Sequence, residues 1–210
     1  MEVINFKKFN IDEQFEISVS VASELFSAGK IFIYPTDTIY GIGGNPFSES
    51  SVERIHNIKG RNIAKPFIWL ISSVDILLKY AEINYESHLN FLKNIYPAPV
   101  TVVLNLNSRT KEITGLNSAA FRIPDNHFCN KLLTEVGMPL ISTSVNRSGK
   151  NALNDFKQIE KEFSEDVDAL FYTKIKNIPL ASTIIDLKRE KPSLIREGTI
   201  KFVELLDKFN

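Results

Sequence analysis

With 210 residues, 43% of them hydrophobic, the chain is long enough for one well-buried core and short for two, so a single domain over 1–210 is expected. Its 25 Lys and Arg balance 25 Asp and Glu, which argues against attachment to nucleic acid through a bulk basic excess, though a local basic patch is compatible with it. A lone cysteine, Cys129, leaves no intrachain disulfide and no Cys-based metal site, the longest apolar runs (Ile31 to Tyr34 and Phe67 to Ile71) are far too short to span a membrane, and the N-terminus has no apolar signal core; a soluble, unprocessed, cytoplasmic protein is expected.

Phe15, Val19, Ala22, Leu25 and Phe26 recur at helical spacing ahead of Gly29 and predict a helix over about 14–28. A buried strand, Ile31 to Tyr34, follows. Ser50 and Glu53 have capping-box spacing before Val52, Ile55 and Ile58, which predicts a helix running into Lys59 and ending at Gly60. The unbroken apolar run Phe67 to Ile71 reads as a strand covered on both faces, with Trp69 in the core. Helices near 74–81 and 86–94 come next, then strands at Val100 to Leu106 and Ala119 to Ile123. Asp125, Phe128, Leu132, Leu133, Val136 and Gly137 describe a capped helix with a glycine stop. A strand at Leu140 to Thr143, a helix near 155–162, strands near 169–172 and 183–187 and an amphipathic helix carrying Phe202, Leu205 and Leu206 complete the pattern. Interleaving of this kind predicts an α/β fold with a twisted mixed sheet flanked by helices.

Several familiar chemistries are excluded. No G-x-x-x-x-G-K-[ST] and no G-x-S-x-G stretch occurs, and Gly41-Ile42-Gly43-Gly44-Asn45-Pro46 puts Pro46 where a dinucleotide fingerprint needs its third glycine. His56, His88 and His127 stand apart from one another and from other ligand types, so they read as surface or packing histidines. What stands out is a set of segments at predicted strand ends, rich in hydroxyls, amides and cations: Thr36-Asp37-Thr38, Lys59-Gly60-Arg61 with Lys65, Ser144-Val145-Asn146-Arg147, Ser182-Thr183 and Arg196. In α/β sheets such segments converge where ligands bind. Arg61, Arg122, Arg147 and Arg196 fall in or beside them, and arginine is suited to forked recognition of phosphate or carboxylate, so an anionic ligand is expected. Taken singly, each segment has an ordinary structural reading: Pro35 to Thr38 as a turn, Lys59-Gly60-Arg61 as a helix C-terminus, Ser144 to Gly149 as a loop.

Taken together, in order, Tyr34-Pro35-Thr36-Asp37-Thr38-Ile39-Tyr40-Gly41, Lys59-Gly60-Arg61 with Lys65-Pro66, Tyr96-Pro97-Ala98-Pro99-Val100-Thr101, Arg122-Ile123-Pro124, Ser144 to Gly149, Ser182-Thr183-Ile184-Ile185-Asp186 and Arg196-Glu197-Gly198 resemble the YrdC family, the threonylcarbamoyl-AMP synthases, in their short single-domain form. The resemblance implies a YrdC-like fold with a basic concave cavity. It also implies condensation of L-threonine, bicarbonate or carbon dioxide, and ATP to threonylcarbamoyl-adenylate and pyrophosphate, with Mg²⁺ held mainly by the ATP phosphates and no organic cofactor. A separate transferase would then act on tRNA. Carried over by position, Lys59, Arg61, Lys65, Ser118, Asn146, Asn154 and Arg196 would surround the nucleotide, with Lys59 and Arg61 acting electrostatically and no side-chain nucleophile. Thr36 or Thr38, Arg122, Ser144 and Ser182 would surround the threonine. Asn62, Ala64, Leu70 and Ala98 depart from residues frequent in the family, and Ser118 and Asn154 match by spacing more than by identity. Two other readings share these residues: an RNA-binding module of the same fold, and a paralogue with another carbamoyl or acyl substrate.

Overall fold

The structure, a computed structural model, describes residues 5–60, 67–175 and 180–209; Arg61 and Lys65 lie outside the described residues. In chain order the elements are β1 (Lys7–Asn10), α1 (Phe15–Ser27), β2 (Phe32–Tyr34), β3 (Gly41–Gly43), α2 (Glu49–Lys59), β4 (Ile68–Leu70), α3 (Val74–Leu78), α4 (Glu86–Ile95), β5 (Val100–Asn105), α5 (Ser108–Thr114), β6 (Ser118–Arg122), α6 (His127–Val136), β7 (Leu140–Ser144), α7 (Phe156–Phe163), β8 (Ala169–Tyr172), β9 (Thr183–Asp186), β10 (Ser193–Arg196) and α8 (Phe202–Phe209). Every helix and strand expected from the sequence is present within a few residues. β1, β3, β10 and α5 are additions to that expectation.

Two caps differ from the sequence reading. α2 begins at Ser48 rather than Ser50: the Ser48 hydroxyl accepts the Ser51 N–H at 3.3 Å, while Gly60 ends the helix in the left-handed region at φ 52°. α6 is capped by Asn126 rather than Asp125, its side chain accepting the Cys129 N–H at 3.0 Å, and Gly137 closes it at φ 62°. In both cases the residue one or two places away has the geometry to reach an unpaired N–H of the first turn.

The strands form one mixed sheet in the order β1-β8-β2-β3-β7-β4-β6-β5-β9-β10. Its first half is covered on both faces. α1 and α6 pack Val19, Phe26, Phe128 and Leu132 against Phe32, Tyr34 and Phe171, and α2 and α7 pack Ile55, Ile58, Ile159 and Phe163 against Ile33, Ile42 and Leu170. In the second half α3, α4 and α8 cover one face, bringing Leu77, Phe91, Leu92 and Leu205 onto Trp69, Val102, Phe121 and Ile185; on the other, Leu70 packs with Phe128 and Leu132 of α6 and Ile68, Arg122 and Ile184 line a cavity. The pairing fixes what the other face presents. Ile68 lies opposite both Ala120 and Ser142, and Leu70 opposite Arg122, so with side chains alternating along each strand, Ile68, Ser142 and Arg122 point away from the Trp69–Phe121 core. That face is the floor of the cavity described next.

The three histidines are packing residues. His88 is buried and bonds the Glu190 carbonyl at 2.9 Å, His56 packs tilted against the Phe67 ring, and His127 stacks on Phe15. Among the described residues no helix is long and apolar enough to cross a membrane.

Candidate active site

A cavity of about 430 Å³ opens over the sheet face opposite α3, α4 and α8, within the size range of small-ligand sites. Its polar lining comes from five places along the chain: Thr36, Thr38 and Tyr40 from the β2–β3 loop, Arg122 from the end of β6, Ser142, Ser144, Asn146 and Lys150 from β7 and the turn after it, Ser182 from just before β9, and Arg196 from the end of β10. Phe67, Ile68 and Ile184 supply the apolar patches.

The β2–β3 loop is rigidified by its own hydroxyls. Thr36 Oγ1 donates to the Ile39 carbonyl at 2.7 Å, accepts the Thr38 N–H at 3.1 Å and lies 3.0 Å from Thr38 Oγ1. Both threonines are almost fully buried in the protein, at 3% and 4% exposure, so their hydroxyls are fixed before any ligand arrives. Arg122 ties this loop to β6: Nη1 donates to Thr38 Oγ1 at 3.0 Å and Nη2 to Asp37 Oδ1. The thiol of Cys129 holds the loop from below by donating to the Pro35 carbonyl at 3.3 Å. Burial pushes that thiol well above the usual range, so it stays protonated and is not a nucleophile.

Across the cavity, Arg196 donates from Nη2 to the Ser182 carbonyl at 2.8 Å. Partial burial, and then the Arg122 charge, hold it below the ordinary arginine range. Two guanidiniums therefore face one cavity. Ser182 is itself held by Thr101, hydroxyl to hydroxyl, at 2.9 Å. The segment after Arg196 is fastened by Thr183, whose hydroxyl accepts the N–H groups of Gly198 at 3.0 Å and Ile200 at 3.2 Å and donates to the Ile200 carbonyl.

Lys59 is the last residue of α2, and its side chain is completely shielded from solvent. Its ammonium donates to the Ser144 carbonyl at 2.7 Å, the Asn146 carbonyl at 2.8 Å and Asn146 Oδ1. Asn146 Oδ1 also accepts the Ser144 hydroxyl at 2.6 Å, and Asn146 Nδ2 donates to the carbonyls of Arg147 and Lys150. Lys59 thus stands behind the turn after β7 and holds it, and its charge acts on the cavity through Ser144 and Asn146.

Of the positions singled out in the sequence, Thr36, Thr38, Arg122, Ser144, Asn146, Ser182 and Arg196 line the one cavity. Ser118 shares a sheet face with Arg122, four positions along β6 and so about 13 Å away. Asn154 lines a neighbouring cavity of about 290 Å³ that shares Thr36, Thr38 and Tyr40 with the first. Lys150, Ser142 and Asp37 belong to the site or its support without having been assigned a role from sequence; only strand pairing and turn geometry bring them in.

The fold and this site define a family. A model of the Sua5/YciO/YrdC family, described as "Telomere recombination", matches residues 24–198, and the chain belongs to that family. It is 30% identical over 204 residues to a Methanocaldococcus jannaschii protein proposed to be a threonylcarbamoyl-AMP synthase, covering 97% of this chain and 96% of that one. Among solved structures, Sua5 of Pyrococcus abyssi in complex with L-threonine superposes with a TM-score of 0.85 at 28% identity; the match covers 97% of this chain and 59% of that longer one. YciO of Escherichia coli superposes with a TM-score of 0.82 at 22% identity over 98% of both chains, a likeness of fold.

Proposed function

We propose that this chain is a threonylcarbamoyl-AMP synthase, joining L-threonine, bicarbonate or carbon dioxide, and MgATP into threonylcarbamoyl-adenylate with release of pyrophosphate. The observation that carries the reading is the pair of guanidiniums, Arg122 and Arg196, facing a cavity ringed by the hydroxyls of Thr36, Thr38, Ser144 and Ser182. The family and the threonine complex of the Pyrococcus abyssi relative support it.

Arg122 holds the threonine carboxylate, and the fixed hydroxyls of the β2–β3 loop and of Ser182 meet the substrate hydroxyl. Carbamate formation requires the neutral amine, which two nearby guanidinium charges favour over the ammonium. The amine nitrogen bonds the carbon of carbon dioxide and releases a proton. A carbamate oxygen then attacks the α-phosphorus of ATP, and the bond to the β-phosphate oxygen breaks as pyrophosphate leaves. Negative charge crowds in from both sides, and fixed cations answer it: one cation about 4 Å from a phosphate charge is worth about 4 kcal/mol at an effective dielectric of 20. Arg196, Lys150 and Asn146 face the phosphates from the cavity wall, Lys59 lends its charge from behind, and Arg61 and Lys65 join them by the family resemblance. Ser118 and Asn154 are assigned to the nucleotide by the family resemblance alone. Positioning and electrostatics carry the catalysis, with no covalent enzyme intermediate. The product would pass to a transferase acting on tRNA in the cytoplasm.

The test is pyrophosphate release from MgATP, with threonine and bicarbonate each omitted in turn, for the wild type, Arg122→Gln and Arg196→Gln. Release that needs both co-substrates and falls in both variants is expected; release indifferent to threonine would move the function to a paralogue with another acyl substrate, and no release beside salt-sensitive RNA binding would make the chain an RNA-binding module.

A further inference from the structure

The ion pair between Asp37 and Arg122 is unevenly satisfied. Their side chains are 8% and 5% exposed. Arg122 spends Nη1 on Thr38 and Nη2 on Asp37 Oδ1, which leaves Arg122 Nε and Asp37 Oδ2 buried with no hydrogen-bond partner among the described residues. Arg122 lines the cavity and Asp37 does not. Across the cavity, partial burial and, after it, the Arg122 charge hold Arg196 below its ordinary range.

The charges of this trio matter more than its hydrogen bonds. Arg122 and Arg196 with Asp37 sum to one positive charge; without Asp37 they sum to two. Attraction for an anion grows with the product of the charges, so the extra charge favours a dianion twice as strongly as a monocarboxylate. ATP carries phosphate groups of higher charge than an amino-acid carboxylate, and both must find their own places in one basic cavity.

We propose that Asp37 sets the anion selectivity at Arg122, so that the Arg122 end of the cavity accepts a monoanionic carboxylate and refuses sulfate-like dianions, terminal phosphate groups included, while Arg196 is left to face the phosphates. Asp37 is a positioning residue: it touches the guanidinium, not the substrate, and with Thr38 it makes Arg122 move as one body with the β2–β3 loop. The proposal rests on the reading of Arg122 as the amino-acid carboxylate site and extends it to what keeps the other substrate's phosphates out.

The experiment uses the full chain as wild type, Asp37→Asn, Asp37→Glu, Arg196→Gln and the double variant Asp37→Asn/Arg196→Gln. Sulfate binding is measured by calorimetry, and the KM for threonine by pyrophosphate release with and without sulfate. Asp37→Asn is expected to bind sulfate at least tenfold more tightly than the wild type and to make sulfate a competitor of threonine, so that the apparent KM for threonine rises at least tenfold when sulfate is present. Asp37→Glu keeps the charge and so keeps the wild-type weakness for sulfate, an outcome that mere loss of structure would not produce. The double variant restores a single positive charge and returns sulfate affinity to the wild-type level, at least tenfold above that of Arg196→Gln. Equal sulfate affinity in the wild type and Asp37→Asn overturns the proposal. If Asp37→Asn does not fold, equal affinity in Arg196→Gln and the double variant overturns it instead. A wild type that ignores threonine would defeat the synthase reading, while the sulfate comparison would still decide the role of Asp37.

Discussion

The Lys59 ammonium donates to both the backbone carbonyl and the side-chain oxygen of Asn146, so one buried cation at the end of α2 fixes the turn that closes the cavity 87 residues further along the chain. A cation used this way is structural and electrostatic at once: it neutralises a cluster of oxygens and leaves net positive potential on their far side.

Removing that cation should therefore cost stability as well as activity. Lys59→Met keeps the apolar stem and strands the carbonyls of Ser144 and Asn146, so we expect a loss of about 2–4 kcal/mol in urea unfolding together with a steep fall in ATP-dependent turnover. A variant within about 0.5 kcal/mol of the wild type would show that water replaces the ammonium without penalty.

Gly198 is constrained by space, not by its dihedral angles. A Cβ there would stand 2.2 Å from the Ala181 carbonyl oxygen and 2.5 Å from the carbonyl carbon and oxygen of Ser182, and backbone atoms cannot yield as a flexible side chain can. Gly198→Ala should push the segment off β9, weaken the Thr183 bonds and displace Arg196, with a stability loss of about 1–3 kcal/mol and a raised KM for ATP. Thr183→Val, which removes the hydroxyl at constant shape, should produce the same kinetic change; an unaltered KM in both would separate Arg196 placement from this clasp.

Much of this architecture is legible in the sequence, and the gaps have physical causes. α1 and α6 announce themselves because apolar residues recur at helical spacing and a glycine stops each. β3 does not: two of its three residues are glycine, and it exists as a strand because β2 and β7 pair with it from either side. Gly43 is required there, since a Cβ would meet the Ile141 carbonyl oxygen at 2.4 Å and the Tyr34 ring at 2.6 Å. β10 is exposed at every position and pairs along one edge only, so it carries no burial pattern to read. In the site, Thr36, Arg122 and Ser182 were recognisable from the order of their motifs. Asp37 stood in view inside one of those motifs, but its partner lies 85 positions away, and no spacing rule links them. The inward turn of Lys59 was equally hidden, because a lysine in the last turn of a helix satisfies the dipole whether or not it is buried.

Cys129 gives a pH signature. Burial raises its thiol well above the ordinary range in the folded protein, while the unfolded thiol ionises near pH 8.5. Above that pH the unfolded chain binds fewer protons than the native one, so stability present at lower pH is lost as pH rises, at up to about 1.4 kcal/mol per pH unit. Urea unfolding between about pH 8 and 10 should show this decline, and Cys129→Ala should flatten it; the native thiol should also resist iodoacetamide at pH 8. Rapid alkylation without unfolding would contradict the enclosure of the β2–β3 loop.

Amino-acid selectivity should be uneven. Valine would put a methyl group where the fixed oxygens of Thr36, Thr38 and Ser182 meet the substrate hydroxyl and should be rejected by about 10⁴-fold in kcat/KM, whereas serine lacks only a methyl group and should lose about 10- to 200-fold. Initial rates with the three amino acids at saturating MgATP measure both ratios. Valine turned over as well as serine would mean that no hydroxyl of the site meets the substrate hydroxyl.

The most direct measurement is mass-spectrometric identification of the product formed from MgATP, L-threonine and ¹³C-bicarbonate. Threonylcarbamoyl-adenylate carrying the isotope in its carbamoyl carbon, formed by the wild type and absent with Arg122→Gln, is the predicted result. An adenylate without the isotope, or none when threonine and bicarbonate are both present, would contradict the proposed reaction.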